Sequence, residues 1–234
     1  MSAISIEGVR RTFGRVVAVD RIDLQIPAGS FCGLIGHNGA GKSTTLRMLM
    51  GLLHPTEGKV RICGHDVVAE PLEARKKLGA VPEEPAVYEY LTAREFLEFV
   101  AGVRGGGDVG KALEDTGLGA DADRLLREYS QGMRRKTALA AAMLGRPPVL
   151  VLDEALNGLD PPSASAVKRA LRAYVDEGNT VLLSTHVVET VAAVADRVVM
   201  LAHGRVVADE RVADIGKDGL ERLFLERIEA TRAR

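Results

Sequence analysis

Apolar runs with strand character alternate with segments of helical periodicity along this chain of 234 residues. In the N-terminal quarter the strand-like runs are short, and Pro27, Ala28 and Gly29 form a turn between the third and the fourth. The fourth run is apolar throughout and leads through glycines into a helical pattern that Gly51 can end. This order predicts a strand, a glycine loop and a helix in direct succession. The predicted strands are residues 3–9, 16–20, 22–26 and 31–35.

The middle of the chain, residues 91–145, has helical periodicity that is broken by glycines such as those at 105–107. We interpret this block as a helical subdomain that is inserted between two parts of a sheet-forming core. Its predicted helical segments are residues 92–103, 108–118, 120–129 and 131–144.

After Pro147 and Pro148 the alternation of strands and helices returns. The apolar run 149–152 ends in two carboxylates, as a buried parallel strand does when it delivers acids to its carboxyl edge. Strands that alternate with helices favour an α/β fold with a doubly wound parallel sheet. The other elements predicted here are a helix at 162–178, a strand at 179–185, a helix at 186–196, a hairpin at 196–210 and one or two short helices at 212–230.

Composition and charge exclude several classes of protein. The 31 basic and 32 acidic residues nearly cancel, which argues against a dedicated nucleic-acid binder. Cys32 and Cys63 lie in apolar runs without metal-ligand spacing, so we expect buried thiols in a reducing compartment. The N-terminus has no signal-peptide pattern. The longest uncharged stretch, 24–41, is interrupted by Pro27 and glycines and makes a poor membrane-spanning helix, so we expect a soluble chain that reaches a membrane only through a partner.

Residues 36–43, GHNGAGKS, match the phosphate-binding pattern of a glycine, four residues and then Gly-Lys-Ser. In such a loop the backbone amides turn around a phosphate, Lys42 reaches the β- and γ-phosphates, and Ser43 ligates magnesium. The alternative is an ordinary glycine-rich turn before a helix, which the strand before the loop and the helix after it disfavour. The predicted nucleotide contacts in this segment are Gly36, His37, Asn38, Gly39, Ala40, Gly41, Lys42, Ser43 and Thr44.

Two further motifs carry chemistry that suits a bound triphosphate. We expect the strand that ends in Asp153 and Glu154 to lie beside the phosphate loop, with Asp153 holding magnesium through water and Glu154 polarising the attacking water. A surface acidic pair is the weaker alternative, because adjacent carboxylates after an apolar run are costly without a cation. His186 follows the next apolar strand. Alone it would be an ordinary residue at a helix start, but beside the other motifs it can donate to the γ-phosphate.

The segments GHNGAGKST, YSQGM, VLDEALNGLDP and LLSTH, in that order, resemble the nucleotide-binding subunit of an ABC transporter over nearly the whole chain. The resemblance implies a P-loop NTPase of the ABC ATPase type, with an N-terminal antiparallel β subdomain, a parallel-sheet core and an inserted helical subdomain. It divides a single domain, 1–234, into a RecA-like core with the β subdomain (1–90 and 146–210), a helical subdomain (91–145) and a C-terminal helical tail (211–234).

The resemblance also implies cofactors and partners. It implies ATP and Mg²⁺, a second nucleotide-binding subunit in a head-to-tail dimer, and a separate transmembrane permease that holds the chain at the cytoplasmic face of the plasma membrane. Nucleic acid is not an implied partner. In the family, the helix after the YSQGM segment points its N-terminus at the γ-phosphate bound by the other copy.

By this resemblance Ser130 and Gly132 contact a nucleotide that a different chain holds. A helix N-terminus with a hydroxyl and free amides is an anion site on physical grounds as well, although a serine before a helix is often only an N-cap. Asp160, in GLDP, would belong to the loop that crosses the dimer interface, and its alternative is an acid before Pro161 at a helix start. Phe13 matches the position at which the family stacks an aromatic ring on adenine, and its alternative is a buried core residue.

Some positions depart from the commonest family pattern. Glu83 stands where the family usually has a glutamine, and its carboxylate can still ligate magnesium. In YSQGM, Gln131 replaces a glycine and Met133 replaces a glutamine, and Tyr129 and Met133 also have a plain interpretation as packing residues. Ala155 and Leu156 replace the usual Pro-Thr. By resemblance, Glu83 implies the branch that powers drug and antibiotic exporters.

Two other functions compete with a transport ATPase. The first is a soluble nucleotide-gated switch on ribosomes or DNA, but such family members commonly carry tandem ATP-binding domains or long coiled-coil insertions, and this chain has neither. The second is a catalytically silent regulator, which is disfavoured because the chemical groups are all present. These groups are Lys42, Ser43, Asp153, Glu154 and His186.

Overall fold

The computed structural model describes residues 2–232, with side chains except those at 217, 218, 225 and 228–232. Two sheets and eight helices make up the described part of the chain. The strands are β1 (Ser2–Phe13), β2 (Val16–Pro27), β3 (Phe31–Ile35), β4 (Glu57–Ile62), β5 (His65–Asp66), β6 (Leu78–Val81), β7 (Val149–Asp153), β8 (Thr180–Thr185), β9 (Arg197–Ala202) and β10 (Arg205–Arg211). The helices are α1 (Lys42–Leu49), α2 (Pro71–Lys76), α3 (Ala93–Arg104), α4 (Val109–Asp115), α5 (Gln131–Met143), α6 (Pro161–Asp176), α7 (Val188–Val194) and α8 (Val212–Arg232).

The N-terminal sheet is antiparallel in the order β2-β1-β4-β5. The predicted strands at 16–20 and 22–26 are one continuous strand, so the predicted break between them is wrong. The physical reason is a bulge: Arg21 takes a left-handed conformation (φ 51°), and the pairing register with β1 shifts there without ending. The strands β4, β5 and β6 and the short helix α2 were not predicted.

The second sheet has the order β10-β9-β3-β8-β7-β6, in which β9, β3, β8, β7 and β6 run parallel and β10 pairs antiparallel with β9. This arrangement confirms the predicted parallel-sheet core. Its side chains alternate between two hydrophobic clusters. Val149 and Val151 of β7 pack with α1 on one face, and Leu150 and Leu152 pack with α5 and α6 on the other. Helices cover both faces, as a doubly wound sheet requires.

The helical block has a hydrophobic cluster of its own, built from α3, α4, α5 and the segment before α5. The predicted helix at 120–129 is wrong, since only two short 3₁₀ turns, Gly119–Asp121 and Leu126–Glu128, form there. The backbone N–H groups of Leu126 and Arg127 donate to the carbonyls of Leu91 and Glu89, both at 2.9 Å, instead of to an α-helical ladder. Tertiary pairing therefore overrides the local helical pattern.

The C-terminal tail forms α8, which has a break at Gly216 (φ 68°) and so consists of two helical pieces, as predicted. Across residues 2–232, we find no helix with the length and apolar character needed to cross a bilayer.

Candidate active site

The phosphate loop lies between β3 and α1, and its glycines are required by close backbone contacts. A Cβ on Gly36 would lie 2.4 Å from the carbonyl oxygen of Leu201, and one on Gly41 would lie 2.6 Å from that of Ala18. Gly41 also has φ 103°, a conformation that other residues rarely adopt. The loop is thus held against β9 and β2 while α1 begins at Lys42 and directs its first amides toward the loop.

A cavity of about 490 Å³ opens beside this loop. The side chain of Phe13 lies at its edge with 47 % of its surface exposed, so Phe13 is not a core residue. The guanidinium of Arg11 stacks on the Phe13 ring at 4.5 Å from its centroid. The cavity is lined by Phe13, Val16, Val17, Ala18, Asn38, Gly39, Ala40, Gly41, Lys42, Ser43, Thr44, Glu83 and Glu154.

Lys42 is buried inside the loop that precedes it. Its Nζ donates to the carbonyl oxygens of Gly36 at 2.7 Å and His37 at 3.3 Å, and it lies 4.0 Å from Glu154 Oε1. Burial lowers the pKa of the Lys42 ammonium, and the nearby Glu154 and other carboxylates oppose that shift. The two loop carbonyls thus hold the Lys42 ammonium close to the Glu154 carboxylate and beside the cavity.

Ser43 and Asp153 meet across the sheet edge, although their strands are not neighbours. Ser43 Oγ lies 3.3 Å from Asp153 Oδ1. The strand of Asp153 therefore ends beside the loop even though β8 separates β7 from β3. In β8, Ser184 is in register with both Leu34 and Asp153, and its hydroxyl donates to Asp153 Oδ1 at 2.6 Å. Ser184 is not predicted from the sequence, where its only signal is a hydroxyl at the end of an apolar strand.

Glu154 is buried and strained, with φ 48°, in the left-handed region that a non-glycine residue rarely adopts. Its backbone N–H donates to Ser184 Oγ at 3.0 Å. One carboxylate oxygen accepts from Asn157 Nδ2 at 2.9 Å, and the other lies 3.3 Å from Nδ1 of His186. The ring of His186 is largely exposed. The structure therefore brings together Lys42, Glu154 and His186.

Glu83 is exposed at the wall of the cavity, which Glu154 also lines. Among the side chains that the structure describes, three or more His, Cys, Asp or Glu residues never gather closely enough to hold a metal by themselves. The donors beside the loop are Ser43, Asp153 and Glu83. That set fits Mg²⁺, which proteins usually bind through one or two carboxylates together with substrate phosphates and water.

Ser130, Gly132 and Asp160 lie outside the cavity lining of the described chain. Ser130 is the N-cap of α5 and accepts from the N–H of Met133 at 3.2 Å. Asp160 is the N-cap of α6 and accepts from the N–H of Ser163 at 2.9 Å, which lowers the pKa of the Asp160 carboxyl. A Cβ on Gly132 would lie 3.0 Å from the carbonyl oxygen of Gly158, so the two segments are adjacent.

The departures in YSQGM have a structural explanation at two positions. Tyr129 is buried in the cluster of the helical block, and its hydroxyl donates to the carbonyl oxygen of Asp121 at 2.6 Å. Met133 packs against the same cluster. Their interpretation as packing residues agrees with these contacts.

A glycine loop between strand and helix, a buried lysine and a hydroxyl–carboxylate pair define a P-loop protein that binds nucleoside triphosphates. Residues 19–157 match the model of the family described as ABC transporter. The chain belongs to this family, and it is an ATP-binding, ATP-hydrolysing member of the P-loop class. The family resemblance and the fold class predicted from the sequence are confirmed.

A similar bacterial protein supports this assignment. The daunorubicin/doxorubicin resistance ATP-binding protein DrrA of Streptomyces peucetius is 40 % identical over 219 residues, which cover 91 % of this chain and 66 % of DrrA. This chain therefore spans about two thirds of the length of that relative.

Two solved structures share the fold. The structure of an ATP-binding subunit of an ABC transporter is 28 % identical, with a TM-score of 0.89 and coverage of 97 % of this chain and 100 % of the other. The ATP-binding cassette MJ0796, in a dimeric post-hydrolysis state bound to ADP and Pi, is 25 % identical, with a TM-score of 0.82 and coverage of 89 % and 98 %.

Proposed function

We propose that this chain hydrolyses ATP to drive a separate transmembrane subunit of an export system. The observation that carries the proposal is the convergence of Lys42 and His186 on the carboxylate of Glu154, at 4.0 and 3.3 Å. The similarity to a drug-resistance ATP-binding protein supports export. A switch that acts on ribosomes or DNA is not favoured by the relatives of this chain.

Around the triphosphate, the amides of residues 36–44 and the ammonium of Lys42 would bind phosphate oxygens. Ser43, Asp153 and Glu83 would hold Mg²⁺, which supplies charge neutralisation when bound. Glu154 would accept a proton from the attacking water, a role that contributes about 10² to 10⁴ in rate. His186, whose Nδ1 lies 3.3 Å from Glu154 Oε1, would donate to the γ-phosphate.

The adenine base would stack on Phe13. Its ring is exposed at the cavity edge, and Arg11 covers the ring without lining the cavity itself. Val16 and Val17 are exposed beside it and would contact the same base. Exposed aromatic and aliphatic side chains at a polar cavity suit a flat, partly apolar ligand.

Ser130, Gly132 and Asp160 would act in trans. Each is exposed or half-buried and lies outside the lining of the cavity of its own chain, while Ser130 and the first turn of α5 form an anion-binding helix terminus. A second copy, arranged head to tail, would bring these groups to the γ-phosphate. The dimeric state of the similar cassette MJ0796 supports this arrangement.

The permease would dock on an exposed apolar surface formed by Tyr88, Tyr90, Phe99 and Val103. The rings of Tyr88 and Phe99 contact each other edge to face at 5.8 Å, and the segment of Tyr88 continues from Glu83 at the cavity. A short cytoplasmic helix of the transmembrane subunit fits such a surface. The chain would then lie peripherally at the cytoplasmic face of the plasma membrane.

Glu154→Gln tests the proposal because it keeps the size of the side chain and removes the base. We expect ATP hydrolysis to fall by about 10² to 10⁴ while ATP binding and ATP-induced dimerisation persist, measured by phosphate release and sedimentation. Glu114→Gln, on the exposed surface of α4, is the matched control and should leave all three unchanged. Full turnover by Glu154→Gln would exclude the proposed mechanism.

A further inference from the structure

Asn157 closes a turn back onto Glu154 in two ways. Its backbone N–H donates to the carbonyl oxygen of Glu154 at 3.0 Å, and its side-chain Nδ2 donates to Glu154 Oε2 at 2.9 Å. The carboxylate is buried, so this amide fixes one of its two oxygens in a site with little water. The other oxygen faces His186 and Lys42.

Arg135 holds Asn157 from the opposite side. Its Nη1 donates to the backbone carbonyl oxygen of Asn157, and its Nη2 donates to the carbonyl oxygen of Glu83 at 3.4 Å. Arg135 lies in the second turn of α5, the helix that Ser130 caps. The Arg135 guanidinium therefore bridges the loop after Glu154 and the segment that continues from Glu83 toward the exposed apolar surface.

We propose that Asn157 is a positioning residue for Glu154, and that Arg135 in turn fixes Asn157. The inference rests on the proposed role of Glu154 as the base. Through these contacts the orientation of the Glu154 carboxylate depends on where the backbone of Glu83 and the start of α5 lie. An amide suits this position because it donates to a carboxylate without adding charge, whereas an aspartate would repel Glu154.

A positioning role predicts a specific kinetic pattern. Asn157→Ala should lower kcat by about 10- to 100-fold, as loss of a supporting hydrogen bond commonly does, while KM for ATP changes little. Asn157→Asp, which keeps the size of the side chain, should lower kcat at least as much. Arg135→Ala should lower kcat as well, and combining it with Asn157→Ala should give less than the product of the two single effects.

The decisive measurement is Asn157→Ala in the Glu154→Gln background, with release of radiolabelled phosphate as the sensitive readout. A residue that acts through Glu154 should cause no further loss there. A further loss of the same size, or unchanged kcat in both single Asn157 variants, would overturn the inference. Binding of a fluorescent ATP analogue by Asn157→Ala should match that of the parent protein.

A control separates this role from general destabilisation. Asn179→Ala removes a comparable amide, which donates to the carbonyl oxygen of Tyr174 at 3.1 Å far along the chain, and should leave kcat unchanged. The outcomes also distinguish the two proposals. A fully active Glu154→Gln variant rejects the proposed mechanism with Glu154 as the base, whereas an inactive Glu154→Gln together with fully active Asn157→Ala and Asn157→Asp rejects only this inference.

Discussion

Ser184 donates its hydroxyl hydrogen to Asp153 across 2.6 Å. The same hydroxyl oxygen accepts the backbone N–H of Glu154 at 3.0 Å, so one buried side chain is bonded to both members of the acidic pair. Ser43 reaches the same Asp153 oxygen at 3.3 Å from the other side. The strand β8 thus lies between β3 and β7 and also, through Ser184, orients the Asp153 carboxylate that we propose as a magnesium ligand.

We predict that Ser184→Ala weakens the binding of magnesium that this orientation of Asp153 supports. The variant leaves a buried carboxylate with one donor fewer, and loss of such a partner commonly costs about 10- to 100-fold in metal affinity or activity. A magnesium titration of ATP hydrolysis should show a higher half-saturating concentration. Ser184→Thr keeps the hydroxyl and should recover part of the loss, and Ser165→Ala on the exposed face of α6 should have no effect. An unaltered magnesium titration for Ser184→Ala would contradict the prediction.

Phe13→Ala should raise KM for ATP while kcat stays close to that of the parent protein. Stacking of a base on an aromatic ring contributes about 1–3 kcal/mol, and this ring lies far from the groups that act on the phosphate. Phe13→Tyr retains the stacking face and should keep KM unchanged. Steady-state kinetics together with titration of a fluorescent ATP analogue would measure both variants. Equal KM values for Phe13→Ala and the parent would show that the ring does not bind the base.

Two glycine substitutions should have different effects: Gly41→Ala should impair ATP binding, whereas Gly102→Ala should stabilise the folded protein. Gly41→Ala adds a Cβ 2.6 Å from a backbone oxygen at φ 103°, so it should distort the phosphate loop and abolish ATP binding. Gly102→Ala, within α3, meets open space and should raise the free energy of unfolding by about 0.5–1 kcal/mol. Urea unfolding and ATP binding would measure both. Normal ATP affinity in Gly41→Ala would mean that the loop relaxes around the new methyl group.

The parts of the site that the sequence could predict are short motifs, and the residues of each motif are contiguous in sequence. The loop from Gly36 to Ser43 takes its shape from local glycines and the helix that follows. The strand that ends in Asp153 can be recognised from its apolar run. Ser184 and Asn157 could not be predicted, because their roles depend on strand order and on a turn that only the folded chain defines.

The same limit applies to the fold. The segment 120–129 has a helical pattern, yet the N–H groups of Leu126 and Arg127 pair with the carbonyls of Leu91 and Glu89, which lie 35 and 38 positions earlier. Local helix propensity gives no information about a hydrogen-bond partner that is so distant in sequence. Strand β6 is only four residues long, and β4 begins with the exposed residues Glu57, Gly58 and Lys59, so neither shows the continuous apolar run that marks β3, β7 and β8.

The phenol of Tyr174 gives a prediction about stability at high pH. Tyr174 is fully buried, and its hydroxyl donates to the carbonyl oxygen of Pro147. Burial raises the pKa of Tyr174 to about 12, whereas an unfolded tyrosine has a pKa of about 10. Above pH 10 the unfolded chain therefore loses this proton before the folded chain does. By proton linkage, the stability that the neutral phenol contributes is present below pH 10 and declines as the pH rises toward 12.

Tyr174→Phe should be about 1 kcal/mol less stable than the parent at pH 8, because it leaves a buried carbonyl without its donor. Between pH 10 and 12 the parent should lose roughly 2–3 kcal/mol more than the variant, since only the parent carries the titrating phenol. Urea unfolding of both proteins from pH 8 to 12 would measure the difference. Burial also raises the pKa of Cys32 to about 12, but this thiol is common to both proteins and cancels in the comparison. Parallel declines for the two proteins would contradict a raised Tyr174 pKa.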